Sequence, residues 1–349
     1  MKESQSVLKT WCDADFFKLG AFLSSADGLS VTLGKGGSFT IVDKFISTPK
    51  PVFYLKNFYT NSYLAYTPEE TITLKRSECL FEREEKSFSP INNDDDLYQK
   101  DFTLLKSAFS SDLQKVVLIS RETYEVFEGE KTILHLLQRA FSFGTGIPYG
   151  LWNPSYGVIG STPEVLYTVT GPTLKTFALA GTAKIEDKEE FLNSRKDRHE
   201  HNLVIQDIEE KLRPFLNSIK TSETKLHPYK SIVHFKTDIE GELLSDVDFT
   251  KLTSILSPTA ALGGYPKEAS LNFLKTSQYG RKYPDRYFGS AMGLISSDSK
   301  EFIVAIRNVQ WEGNHLYIEC GGGVVPESEF GRELEEVHLK RNTVRKHYL

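Results

Sequence analysis

Apolar and polar positions alternate through much of this chain, and where the alternation stops a helical spacing takes over. VFYLKNFYTNSYLAYT (52–67), ETITLKR (70–76) and KVVLISRETYEVF (115–127) read as strands. YGVIGS (156–161), VLYTVTG (165–171) and TLKTFALAGTAKI (173–185) follow as strands with glycine punctuation, and KSIVHFKTDIEGEL (230–243) reads likewise. LYQKDFTLLKSAF (97–109), KTILHLLQRAF (131–141) and KEASLNFLKTS (267–277) carry the spacing of amphipathic helices, and a last helix is predicted from about 331 to the end. EFIVAIRNVQW (301–311) and HLYIECGGGVV (315–325), joined by EGN, predict a β-hairpin. The polar, acidic EREEKSFSPINNDDDLYQKD (82–101) reads as a connection between an N-terminal segment and the remainder. Strands grouped in antiparallel fashion, with helices between only some of them, favour an α+β fold over a doubly wound parallel sheet.

One helix is anomalous. It is predicted over roughly 188–219, and Val204, Ile208, Leu212 and Phe215 form its buried stripe. Run backward by four and then three, the stripe reaches Glu200 and Asp197, so both carboxylates lean toward the interior. Buried unpaired charge is costly, which calls for a cationic group opposite them. The terminal helix repeats the pattern: Glu333, Glu336 and Lys340 share one face at i, i+3 and i+7. Four carboxylates beside a lysine could hold one hard divalent cation, with Mg2+ suited to few protein ligands, and one anionic ligand. Each acidic pair alone is the ordinary pattern of a solvated helix face.

Composition narrows the classes. A net charge of −5 over 349 residues argues against a general nucleic-acid or anionic-membrane binder. The first residues lack the apolar run of a signal peptide, and no segment approaches the ~18 continuous apolar residues of a membrane span. Cys12, Cys79 and Cys320 are too scattered for a disulfide framework or metal knuckle, so a cytoplasmic protein is expected. HExxH is absent, GKGGS (34–38) lacks the rest of a P-loop, and the basic C-terminal end reads as a solvated helix face.

Eight stretches taken together resemble the chorismate-utilising enzymes: QKVVLISR (114–121), IGSTPEVL (159–166), FALAGTA (177–183), KDRHEHNLV (196–204), IVHF (232–235), SPTAALGGYP (257–266), FIVAIR (302–307) and GGGVVPESEFGRELEEVHLK (321–340). The resemblance covers the chain from about residue 95 onward and leaves 1–94 divergent within a single domain spanning 1–349. It implies the α+β fold of anthranilate synthase component I, with antiparallel sheets packed together, helices outside and a central cavity. It also implies Mg2+ held directly by Glu200 and Glu336, with Asp197 and Glu333 as an outer acidic pair.

In the isochorismate and salicylate branches a lysine beginning KVVL is general base on water, and Lys115 matches it; that role requires a neutral amine. Glu164 matches the general acid, which must keep its proton near neutral pH. His234 matches a histidine near the departing hydroxyl. Gly181, with Thr182, and Gly321, with Gly322, match backbone contacts to substrate. Arg307 and Lys340 match residues that hold the enolpyruvyl carboxylate. Ala180 stands where one type of aminodeoxychorismate synthase has a nucleophilic lysine. Ser257 and Ala260 depart from the family pattern, and Glu319 sits where an apolar pocket-lining residue is expected. The resemblance thus implies an isochorismate synthase acting on chorismate without an amidotransferase subunit, for menaquinone or siderophore synthesis. The alternatives are a salicylate synthase, an anthranilate- or aminodeoxychorismate-type subunit, and a non-catalytic chorismate-binding protein.

Overall fold

A computed structural model describes residues 11–79, 86–125, 128–142, 144, 146–229 and 232–349. The N-terminal sequence bearing on a signal peptide, part of the 82–101 connection, and positions 126, 127, 230 and 231 of two expected strands lie outside these.

The early chain forms helix α1 (Ala14–Lys18) and strands β1 (Gly20–Ser24), β2 (Ser30–Lys35), β3 (Ser38–Val42), β4 (Val52–Lys56), β5 (Tyr63–Thr67), β6 (Glu70–Lys75) and β7 (Pro90–Asn93). Helix α2 (Asp95–Ala108), β8 (Lys115–Glu125) and α3 (Glu130–Ser142) follow, then β9 (Ile147–Trp152), β10 (Tyr156–Thr162), β11 (Val165–Thr170) and β12 (Thr173–Lys184). Next come α4 (Lys188–Asn193), α5 (Arg195–Leu212), β13 (Leu216–Thr221), β14 (Lys225–Tyr229), β15 (Ile232–Leu243), α6 (Phe249–Leu256), β16 (Gly264–Tyr265), α7 (Lys267–Thr276) and α8 (Gln278–Lys282). The chain ends with β17 (Ala291–Ile295), β18 (Ser299–Val304), β19 (Asn308–Glu312), β20 (His315–Val324) and α9 (Phe330–Tyr348).

These strands build two ten-stranded sheets in which the described pairings are antiparallel. The first runs β16-β8-β20-β19-β10-β9-β1-β2-β6 with β7 also on β8; the second runs β13-β15-β12-β11-β18-β17-β4-β5-β3 with β14 also on β15. Both sheets are completed by strands from the first 94 residues. The α+β expectation agrees with this architecture.

Successive side chains of β8 serve two cores, because strand residues alternate between faces. Val116 and Leu118 pack outward against Tyr98, Phe102 and Leu105 of α2 and Val337 and Val344 of α9. Val117 and Ile119 pack inward with Ala178, Ala180, Val204 and Ile208. The inner face of β8 therefore faces β12 and α5, and the acidic ends of α5 and α9 meet at one end of this interior.

Three expectations on elements are corrected. The helix of 188–219 is interrupted: α4 ends at Asn193, the Ser194 hydroxyl accepts the Asp197 amide to start α5 at 3.2 Å, and Pro214 in a 3-10 turn ends it before β13. EFIVAIRNVQW is no single hairpin arm. Its first half is β18 in the second sheet and its second half β19 in the first; only β19 and β20 form the hairpin. The crossing is made at Ala305–Arg307, with Arg307 at φ +56°. Finally, the basic C-terminal end is anchored: the Arg341 guanidinium donates to both Asp95 oxygens at 3.1 and 3.0 Å.

Candidate active site

A cavity opens where α5, α9, the β12 bulge and the β18–β19 crossing converge. Its wall carries Glu164, Gly181, Thr182, Asp197, Glu200, His234, Arg307, Gly321, Glu336 and Lys340. Ten of the thirteen site residues expected from sequence are thus brought to one space.

Three stand elsewhere. Lys115 is one layer back, its ammonium donating to Glu200 Oε1 at 2.6 Å. A Cβ on Gly323 would lie 2.8 Å from Lys115 Cε and 3.1 Å from Glu200 Oε1, so a side chain there would displace the ends of this pair. Glu333 is buried behind the wall, accepting from Ser328 Oγ at 2.6 Å and pairing with Lys196 at 3.4 Å. Gly322 faces outward, toward Tyr98 and Glu333, because β20 alternates; the glycine on the cavity beside Gly321 is Gly323. Gly323 was therefore missed by one position. Lys196 was missed too, although its i, i+4 relation to Glu200 was readable.

The wall is strongly polarised. Glu164, at the turn between β10 and β11, is 6% exposed, and burial pushes its carboxyl up to about 8 against the opposing charges of Lys115, Lys340 and Arg307. It is therefore a protonated acid at neutral pH. His234 on β15 holds Nδ1 against the Gly181 carbonyl at 2.9 Å and Thr182 Oγ1 at 3.1 Å, leaving Nε2 without a partner. Burial pulls its pKa down to about 3, so the ring is neutral. Gly181 takes φ +74° in the bulge where β12 shifts register against β15. This conformation admits glycine freely and leaves the adjoining backbone facing the cavity. Arg307 reaches the Lys340 carbonyl at 3.5 Å, and Lys340 in turn pairs with Glu336 at 2.6 Å.

The acidic pairs of α5 and α9 meet at one end of the cavity. Their donors are oxygen only, as such an ion requires. Burial raises the Asp197 and Glu333 carboxyls, and neighbouring carboxylates add to both shifts against the opposing charge of Lys196. Glu200 is held below the ordinary range: burial opposes this, and Lys115 outweighs it. Gly322 and Gly323 leave open the space beside Glu333 and Glu200 that a side chain would fill. The chemistry fits a divalent cation. As the side chains stand, no three His, Cys, Asp or Glu groups among the described residues converge on one point, since each of Glu200, Glu336 and Glu333 is engaged by a lysine.

Glu319 is a further correction. It is 1% exposed and off the cavity wall, accepting Arg121 Nε and Nη2 at 3.2 and 2.8 Å, Gln310 Nε2 at 3.0 Å and the Tyr279 hydroxyl. The Arg121 guanidinium lies between the Tyr283 and Tyr317 rings, so the charge is compensated within the core. Ser257 and Ala260 are buried, with Ser257 Oγ accepting the Ala291 amide at 2.9 Å.

A family model described as "Chorismate binding enzyme" matches residues 60–347. The chain belongs to the chorismate-binding enzymes. Among curated members of this family it is 28% identical over 241 residues to the isochorismate synthase MenF of Haemophilus influenzae, covering 66% of this chain and 55% of that protein. The chain thus spans about half the length of the curated relatives it matches. The structure of MenF, the menaquinone-specific isochorismate synthase from Escherichia coli, superposes with a TM-score of 0.82 at 17% identity, over 97% of this chain and 91% of that one. Anthranilate synthase component I from Streptococcus pneumoniae superposes at 0.73 and 14% identity, over 93% of each chain. At these identities the superpositions establish a shared chorismate-binding fold. Among the described residues no helix is long and apolar enough to cross a membrane.

Proposed function

We propose that this chain is a Mg2+-dependent isochorismate synthase, converting chorismate to isochorismate. The observation that carries the reading is Glu164, a buried carboxyl that keeps its proton to about pH 8 in a cavity whose wall also carries Lys196, Arg307 and Lys340 and the carboxylates Asp197, Glu200 and Glu336. In this reading Lys115 takes a proton from water as its oxygen bonds to ring C2. The two ring double bonds shift, the C4–O bond breaks, and Glu164 protonates the departing hydroxyl to water. Arg307 and Lys340 hold the enolpyruvyl carboxylate, and the Gly181–Thr182 and Gly321 backbones border the ring. The neutral His234 presents Nε2 toward the departing group. Glu200 and Glu336, with Asp197 and Glu333 outside them, would hold Mg2+, which would supply positive charge to the ring carboxylate. Menaquinone and siderophore synthesis are the pathways suggested by the relatives, and no amidotransferase subunit is required.

The test is product chromatography after incubation with chorismate, with Mg2+ or EDTA and with or without ammonium. Isochorismate formed only with Mg2+ and indifferent to ammonium is expected. Salicylate with pyruvate would replace this reading by the salicylate synthase one. An aminated product would refute water as nucleophile, and binding without turnover would refute catalysis.

A further inference from the structure

The positive charge opposite the two acidic helices is supplied in an unexpected way. Of the four carboxylates in the acidic pairs, the two that the proposed reading assigns directly to the metal are closely engaged by lysine: Glu200 by Lys115 at 2.6 Å and Glu336 by Lys340 at 2.6 Å. These lysines are the same ones that the reading assigns to base and substrate-carboxylate roles. Lys115 is 1% exposed and Glu200 19%, so their pairing is shielded from bulk water. A buried charge left without a partner is costly, so neither member separates unless another charge takes its place.

We propose that Lys115 and Lys340 are internal stand-ins for the divalent cation, and that the metal enters by exchange, taking Glu200 and Glu336 and releasing both lysines toward the substrate. This rests on the proposed function and deepens it. Two ammonium groups carry the charge of one divalent ion, so exchange leaves the carboxylates neutralised throughout. Released Lys340 then adds positive charge where a dicarboxylate ligand would bind, and released Lys115 is free to turn toward the water that the reading has it deprotonate. Lys115 needs only a short movement: its Cε and Nζ lie 2.8 and 3.3 Å from the Cβ position that Gly323 leaves empty on the cavity wall. Lys340 already lines the cavity and donates its second hydrogen bond to the Gly321 carbonyl at 3.0 Å. Lys196 differs, because it is half exposed and pairs at 3.4 Å with Glu333, which lies behind the wall.

The exchange has a readout independent of chorismate: Mg2+ binding, measured by titration calorimetry on the full chain without substrate. Lys115→Met and Lys340→Met remove a competitor for each carboxylate and are expected to bind Mg2+ at least ~10-fold more tightly than the unmodified protein. Lys184→Met removes an exposed lysine at the mouth of the same region, and is expected to stay within ~2-fold. Lys115→Met should also show the larger rise in unfolding temperature on adding Mg2+, because its Glu200 has lost its partner. Unchanged or weaker binding in Lys115→Met and Lys340→Met overturns the exchange. So does an equal gain in Lys184→Met, which would mark a general field effect. If Lys115→Met does not fold, the comparison of Lys340→Met with Lys184→Met decides alone. Absence of Mg2+ uptake in every protein overturns both the exchange and the metal of the proposed reading. The expected order of affinities in a protein that does not turn chorismate over would uphold the exchange and sink the isochorismate synthase reading.

Discussion

Glu164 and His234 stand on the same cavity wall and hold their protons in opposite senses. Glu164 rises from an ordinary 4.5 to about 8, so between these values the folded chain holds a proton that the unfolded chain releases. Its contribution is full below pH 4.5 and is lost as pH rises to 8. His234 falls from 6.5 to about 3, so the unfolded chain holds the extra proton and the contribution is lost as pH falls through that range. The two effects offset each other between 4.5 and 6.5, and above 6.5 only Glu164 acts. Glu164→Gln should therefore remove a decline approaching ~1.4 kcal/mol per pH unit between pH 6.5 and 8. Urea unfolding at several pH values checks this; parallel curves for the two proteins across that window would contradict it. The same substitution should lower kcat on chorismate by roughly 100-fold or more, as expected for loss of a general acid. Turnover by the unmodified protein should fall above about pH 8 as the acid loses its proton.

At the scale of the element, what matters is how firmly the two acidic helices are aimed. Ser194 begins α5, accepting the Asp197 amide and donating to the Asp197 carboxylate. Ser194→Ala should cost about 1 kcal/mol, typical of a lost N-cap, and should free Asp197 on the cavity wall. A lower unfolding temperature together with altered Mg2+ affinity would be the signature; a purely local cap would move only the temperature. The α9 helix is fixed by Arg341 on Asp95, and Ser120 also donates to Asp95 at 2.6 Å. Asp95→Ala leaves a buried guanidinium without its carboxylate, and should destabilise by roughly 3–5 kcal/mol, measured by denaturant unfolding. On β20, Gly321→Ala would force its Cβ to 2.6 Å from the Leu118 carbonyl, so the β8–β20 pairing could not close as it does.

The limits of the sequence lie at these same elements. The Val204–Ile208–Leu212 stripe located Asp197 and Glu200 correctly, because helical periodicity is a local property. The break at Ala305–Arg307 was invisible, because EFIVAIRNVQW is continuously strand-like and only the tertiary pairing reveals that its halves belong to different sheets. Choosing Gly322 over Gly323 was a one-residue error, which in a strand exchanges one face for the other. Glu319 carried no local mark of its partner, since Arg121 is distant in sequence and adjacent only through the β8–β20 register. Strands β1 to β3 were not read at all; the exposed, mixed surface of Ser38–Val42 shows why alternation is faint there.

Taken whole, both sheets are closed by strands that precede residue 95. In one sheet β1 lies between β9 and β2; in the other β4 lies between β17 and β5. A chain started at residue 95 would expose the open edges of β9 and β17, and should yield little soluble protein by size-exclusion chromatography. Recovery of a monomeric, cooperatively unfolding fragment would refute that.

The same arrangement bears on how the protein is made. In the finished fold β4 pairs with β5, its neighbour in sequence, on one edge, and its other edge has no partner until Ala291–Ile295 has been translated. While the residues between them are translated, the nascent chain carries an unpaired, largely apolar strand edge, Val52–Lys56, of the kind that joins neighbouring chains. Yield in cells should therefore depend on translation rate and chaperone supply more steeply than the stability of the finished fold would suggest.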